Sequence, residues 1–140
     1  LPHHRHAPEI EQELTKAAGT EVTVTFTPHL VPVTRGMMST IYTRPLITDI
    51  DKIEEVYREY YSEEPFVRIY PQGQYPQTKW VQGTNFCDLG FSFDARTQRL
   101  IIISVIDNLT KGASGQAIQN LNLMCGFEET LGLPQVALFP

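Results

Sequence analysis

A chain of 140 residues, 41% hydrophobic and 19% charged, has room for one core of ordinary globular composition. Its net charge of −5, with no block of like charges, argues against a nucleic-acid surface. The longest apolar run, residues 100–106, is too short to cross a bilayer, and no charged segment followed by an apolar one marks a secretory leader.

A first helix is expected over residues 7–18. Pro8 suits the opening turn, Ile10, Leu14, Ala17 and Ala18 share a face, and Gly19 can close the C-terminus. Residues 21–27 then alternate apolar with hydroxyl or charged side chains, the period of a half-buried strand. Pro28 and Pro32 bracket a turn, and a second strand is expected near residues 36–43. Thr48, three residues before Asp51, reads as the N-cap of an amphipathic helix carrying Ile50, Ile53, Val56, Tyr57 and Tyr60. Residues 66–70 form a short strand, 71–76 a turn, and 79–81 another short strand. Residues 86–94 and 98–106 read as a long antiparallel hairpin joined at Ala95-Arg96-Thr97. A last helix covers residues 113–125, with Gly126 as its C-cap. The fold class is α+β: a mixed, mainly antiparallel sheet with helices on one face. Three helices leave the other sheet face open, and that face is expected to meet another domain or a second subunit.

Three segments carry chemistry. His4-Arg5-His6 leads into the first helix, with Glu9 one turn on. Imidazole exchanges protons near neutral pH, and a carboxylate can orient it. The same residues, with His3, suit a polar helix cap equally well; no second ligand cluster with sensible spacing follows, so no metal site is expected. Residues 27–36 hold Arg35 in a loop stiffened by two prolines, and arginine grips a carboxylate or phosphate with two parallel N–H bonds. Residues 107–116 run from a strand through a glycine-containing turn, with Lys111 beside a helix start; such a turn can receive an anion or a dinucleotide. Gly112 and Gly115 would also let the helix pack closely on the sheet. Cys87 and Cys125 lack Cys-x-x-Cys spacing and suit a reducing compartment; both fall on apolar patterns and read as core positions rather than nucleophiles.

Together the stretches 4–12, 26–36, 66–68, 83–90 and 107–124 resemble the C-terminal part of the N-acetyl-gamma-glutamyl-phosphate reductases, across nearly the whole chain. The resemblance implies the C-terminal domain shape of glyceraldehyde-phosphate and aspartate-semialdehyde dehydrogenases. It implies NADP-dependent reduction of N-acetyl-glutamyl phosphate to the semialdehyde in arginine biosynthesis, through a cysteine thioester. In that frame His6, with His4 and Glu9 as partners, is the acid–base group, and which imidazole faces the sulfur stays open. Arg35, and more weakly Arg68, would bind the substrate. Lys111, Gly112, Ala113, Gly115 and Gln116 would meet the cofactor, most of which belongs to another domain.

Residues 1–140 are thus expected to be one catalytic and dimerisation domain. The family's reactive cysteine and its Rossmann domain lie before the histidine motif and are not in this chain, which alone should be inactive. The expected partners are the acyl-phosphate substrate and further copies of the chain, as a dimer or tetramer through the sheet face, with no nucleic acid or membrane. The expected location is the cytoplasm, or the plastid stroma for a plant protein. The alternatives are an aminoadipate-type acyl-phosphate reductase and a non-catalytic dimerisation module.

Overall fold

The computed structural model describes residues 4–138, and the chain separates into two compact units, one ending at Val33 and one beginning at Thr34. The first unit is built on α1 (His6–Ala18). Gly19, at φ 67°, closes it by donating its N–H to the Thr15 carbonyl, as the sequence suggests.

The strand expected over residues 21–27 does not form. The segment is extended, with Val22, Val24 and Phe26 half-buried and the residues between them exposed, yet no strand pairs with it among the described residues. Its backbone bonds go to α1 instead. The Val22 N–H donates to Thr15 Oγ1 at 2.9 Å and the Val24 N–H to Glu11 Oε1 at 3.0 Å. Two residues of extended chain rise about 6.7 Å and one helical turn plus a fraction about 6 Å, so the spacings match. Alternation predicts the extended backbone correctly, but a ladder needs a partner strand.

The second unit centres on a four-stranded sheet in the order β1-β4-β3-β2, with β1 Met37–Thr43, β2 Val67–Ile69, β3 Cys87–Asp94 and β4 Arg99–Ile106. β4 is antiparallel to both neighbours and β2 is parallel to β3. The hairpin stands as predicted: Asp94 accepts from the N–H groups of Arg96 and Thr97 and tightens its turn. One face carries Leu89, Phe91, Leu100 and Ile102, and α2 (Ile50–Tyr60) covers it through Ile53 and through Tyr57, whose ring lies 4.5 Å from Phe91. The N-cap of α2 is Asp49 rather than Thr48. Its carboxylate accepts from the N–H groups of Asp51 and Lys52, one residue later than the sequence signal placed it.

The opposite face is buried at Asp88 and Gly90 of β3 and at Val105 of β4 and half-buried at Ser92, Ile101 and Ile103. Gly90 has no room for a Cβ there, because Pro76 packs 2.7 Å from where it would stand. Next to it, residues 78–81 form a helical turn, α3 (Thr78–Val81), not the strand that Trp80 and Val81 suggest. Trp80 stacks on Tyr70 with rings 5.8 Å apart and 3° from parallel, and Val81 is fully buried, so packing overrides strand propensity. The remainder of that face, from Met38 to Tyr42 on the edge strand β1, is exposed.

After β4 a π-helical turn (Thr110–Ser114) leads into α4 (Gly115–Cys125), closed by Gly126 at φ 70°. This helix is inverted in polarity. Its inward residues are Gly115, Gln119 and Asn122, while Ile118, Leu121 and Met124 are exposed. Cys125 is exposed as well, a correction to its expected core position. Among the described residues no helix is long and apolar enough to cross a membrane.

Candidate active site

In the first unit, His4 and His6 come together with ring centroids 4.9 Å apart, edge to face, and Phe26 lies 5.2 Å from the His4 ring. Arg5 stands at the N-cap of α1 but gives no side-chain bond. His4 does that work: its Nδ1 accepts the His6 backbone N–H at 3.3 Å, and its carbonyl accepts the Ala7 N–H at 3.0 Å. A neutral His4 in this pose carries its proton on Nε2. The His6 ring makes no hydrogen bond among the described residues, which leaves both of its nitrogens available. Glu9 is exposed on α1 and likewise makes none, so the carboxylate-to-imidazole contact expected from the sequence is not formed. His3 lies outside the described residues.

The second unit holds both arginines in ion pairs with fully buried aspartates. Arg35 donates from Nε to Asp107 Oδ2 at 2.7 Å and from Nη2 to Thr110 Oγ1 at 3.1 Å. Asp107 also accepts the N–H groups of Gly83, Leu109 and Thr110. Burial by itself raises a carboxyl pKa; these N–H groups and the guanidinium more than offset it and hold Asp107 below the ordinary range. Arg68 is more completely engaged. Nε and Nη2 grip Asp88 at 2.6 and 2.8 Å, and the guanidinium lies 4.0 Å over the Phe86 ring. The two-pronged edge that would hold a ligand carboxylate is filled by Asp88, which sits opposite Arg68 in the β2–β3 register.

Of the residues expected to meet a cofactor, three are turned to internal use. Lys111 donates to Gln119 Oε1 at 2.7 Å, and its burial pushes the ammonium below its ordinary pKa. Gln116 bonds Asn120 at 3.0 Å. Gly115 is buried, and a Cβ there would collide with Asn85 Oδ1 and the Thr110 carbonyl. Its missing side chain serves close packing within the domain. Gly112 and Ala113 remain exposed on the π-helical turn. Cys87 bonds weakly to Ser104 at 3.6 Å, and burial pushes its thiol up, away from thiolate character. Asp107, Asp88, Asn85 and Gln119 were not singled out from the sequence; buried polar side chains carry no local pattern that announces them.

Residues 1–108 match the family described as semialdehyde dehydrogenase, dimerisation domain. The chain belongs to that family. Semialdehyde dehydrogenase-type relatives include the N-acetyl-gamma-glutamyl-phosphate reductase of Pelobacter propionicus, 58% identical over 138 residues, 98% of this chain and 40% of that protein. The reductase of the same name from Desulforudis audaxviator is 59% identical over 138 residues, with the same coverage. The chain therefore spans about 40% of the length of the curated relatives it matches. Among solved structures, aspartate semialdehyde dehydrogenase II from Vibrio cholerae superposes with a TM-score of 0.68 at 20% identity, over 89% of this chain and 37% of that one. The shared fold is that of the semialdehyde dehydrogenase C-terminal domain.

Proposed function

We propose that this semialdehyde dehydrogenase-type domain is part of an NADP-dependent N-acetyl-gamma-glutamyl-phosphate reductase, a cytoplasmic enzyme of arginine biosynthesis. The enzyme would convert N-acetyl-glutamyl phosphate to the 5-semialdehyde and phosphate. The observation that carries this reading is the 58% identity, along 98% of the chain, with a reductase of that name. The geometry supports a division of roles. His6 is the proton carrier, because both of its ring nitrogens are available, whereas His4 Nδ1 is committed to the His6 backbone. His6 takes the proton of the reactive cysteine, which lies in the remainder of the enzyme, gives it to the substrate oxygen as the thioester is reduced to the thiohemiacetal, and takes it back as the C–S bond breaks to release the aldehyde and the thiolate. NADPH, when bound, supplies the hydride; Gly112 and Ala113 are the residues here that would approach it.

Arg35 is the arginine we assign to the anionic end of the substrate, in preference to Arg68, whose fork is filled. Self-association belongs to the same reading. The sheet face away from α2 presents Met38 and Tyr42 of β1, 60% and 62% exposed, to a second copy.

The test is to assay reduction of N-acetyl-glutamyl phosphate by this chain alone and by the complete reductase that contains it. We expect no turnover from the 140 residues and NADPH-dependent turnover from the complete enzyme. Turnover by the chain alone would remove the need for an outside cysteine. A complete protein that reduces only an aminoadipate-type acyl phosphate, or no acyl phosphate at all, would overturn the substrate or the enzymatic reading respectively.

A further inference from the structure

A guanidinium has five N–H bonds, and a flexible arginine loses much of its binding strength in the ordering of its side chain. Arg35 is ordered in advance from both ends. Its backbone is tied because the next residue, Gly36, donates its N–H to Asn108 Oδ1 at 2.7 Å. Its side chain is tied by Asp107 and Thr110, which take one N–H each from Nε and Nη2. The tethers all come from residues 107, 108 and 110, some 72 to 75 positions away. Three N–H bonds of the guanidinium, two on Nη1 and one on Nη2, are left without a partner among the described residues.

The carboxylate that does most of this cannot turn. Asp107 is fully buried, and both its oxygens are occupied: Oδ1 by the N–H groups of Leu109 and Thr110, Oδ2 by Arg35 and the Gly83 N–H. A carboxylate fixed on both oxygens fixes the direction in which Nε can approach it, and with it the plane of the guanidinium.

We propose that Asp107 is a positioning residue for substrate binding, which with Thr110 aims the open edge of Arg35 at a carboxylate or phosphate. This rests on the assignment of Arg35 to the substrate. Asp107 touches no ligand itself; it acts through Arg35, and Thr110 acts in the same way more weakly.

Steady-state kinetics of the complete reductase, with acyl phosphate varied at saturating NADPH, test the idea. Arg35→Ala should raise KM for the acyl phosphate by roughly a hundredfold. Asp107→Asn should raise it roughly tenfold, with kcat within about threefold, and Thr110→Val should raise it about twofold to threefold. The double variant Arg35→Ala/Asp107→Asn should have the KM of Arg35→Ala alone, because Asp107 has nothing left to aim. A purely structural Asp107 would lower the melting temperature and leave KM unchanged, and that result would overturn the proposal. Independent, multiplying effects in the double variant would overturn it too. If Asp107→Asn does not fold, Thr110→Val decides, since it spares the carboxylate; an unchanged KM there counts against the proposal. An unchanged KM in Arg35→Ala is a different failure, because it removes Arg35 from the substrate site and leaves the Asp107 network as scaffold.

Discussion

Between His4 and Val33 no residue is buried, while every buried hydrophobic side chain among the described residues belongs to the stretch that begins at Thr34. The first unit holds its side chains by local means. Its hydrogen bonds span at most 13 residues, and the imidazoles are placed by the opening turn of α1. The second unit is held by pairs that reach across 20 to 75 residues, around a sheet and two buried aspartates. The paired imidazoles and the buried core therefore lie in different parts of the chain. A substitution in one should leave the other largely untouched.

The largest effect tests that separation directly. We predict that His6→Asn in the complete reductase lowers kcat by about 10²- to 10⁴-fold. The urea midpoint of the 140-residue chain should stay where it was, because the His6 side chain is exposed. A large shift in the midpoint would break the comparison. On the other side, Phe91→Ala removes a ring that is 3% exposed and packed on Tyr57, and should cost about 3–5 kcal/mol in urea unfolding. Leu14→Ala in the first unit, at 42% exposure, should cost no more than about 0.5 kcal/mol. Equal losses from these two variants would show that the first unit has a core after all.

Gly115→Ala comes next. Its Cβ would meet the Thr110 backbone and Asn85, neither of which yields easily, so about 1–3 kcal/mol should be lost in thermal unfolding. Acid should then act on the second unit through Asp107. Its folded pKa lies below the unfolded value of about 3.9, so its contribution is complete above that pH and drains away as pH falls through the lower folded value. The urea midpoint, measured from pH 5 down to pH 2, should fall less steeply in Asp107→Asn than in the parent. An unchanged slope would place the acid sensitivity elsewhere. His4→Ala, the mildest change, removes one acceptor at the exposed start of α1 and should cost about 0.5 kcal/mol or less by circular dichroism melting.

Legibility in the sequence follows the same division. The hairpin of β3 and β4 could be read because alternation and a turn-forming Asp94 sit next to each other. The helix α1 could be read from Pro8, its apolar spacing and Gly19. The segment from Glu21 to Thr27 shows the same alternation as the hairpin, but whether a strand lies beside it is a non-local fact. At α2, Thr48 and Asp49 are both good caps, and only the folded geometry selects the second. In α4 the periodicity marks two faces without saying which one turns inward; the amides of Gln119 and Asn122 do, held by Asn85, Lys111 and the carbonyls of Glu129 and Leu131. Arg35 stood out from its stiff loop, while its dependence on Asp107 could not, since 72 residues separate them. The histidines were legible as a pair, while the bond from the His6 N–H to His4 Nδ1, which distinguishes their surroundings, was not.

The extended segment beside α1 also acts as a ruler. Val22 and Val24 meet the helix with their N–H groups, and Phe26, two residues further along the same side, sets its ring against His4. Because side chains and N–H groups alternate sides along extended chain, the number of residues after Gly19 decides which side chain reaches the imidazole. One extra residue between Gly19 and Val22 would turn Phe26 away and bring a threonine to that place. Length, more than composition, is what this stretch has to conserve: it should accept many substitutions at Thr23 and Thr25, and resist the insertion or deletion of a single residue.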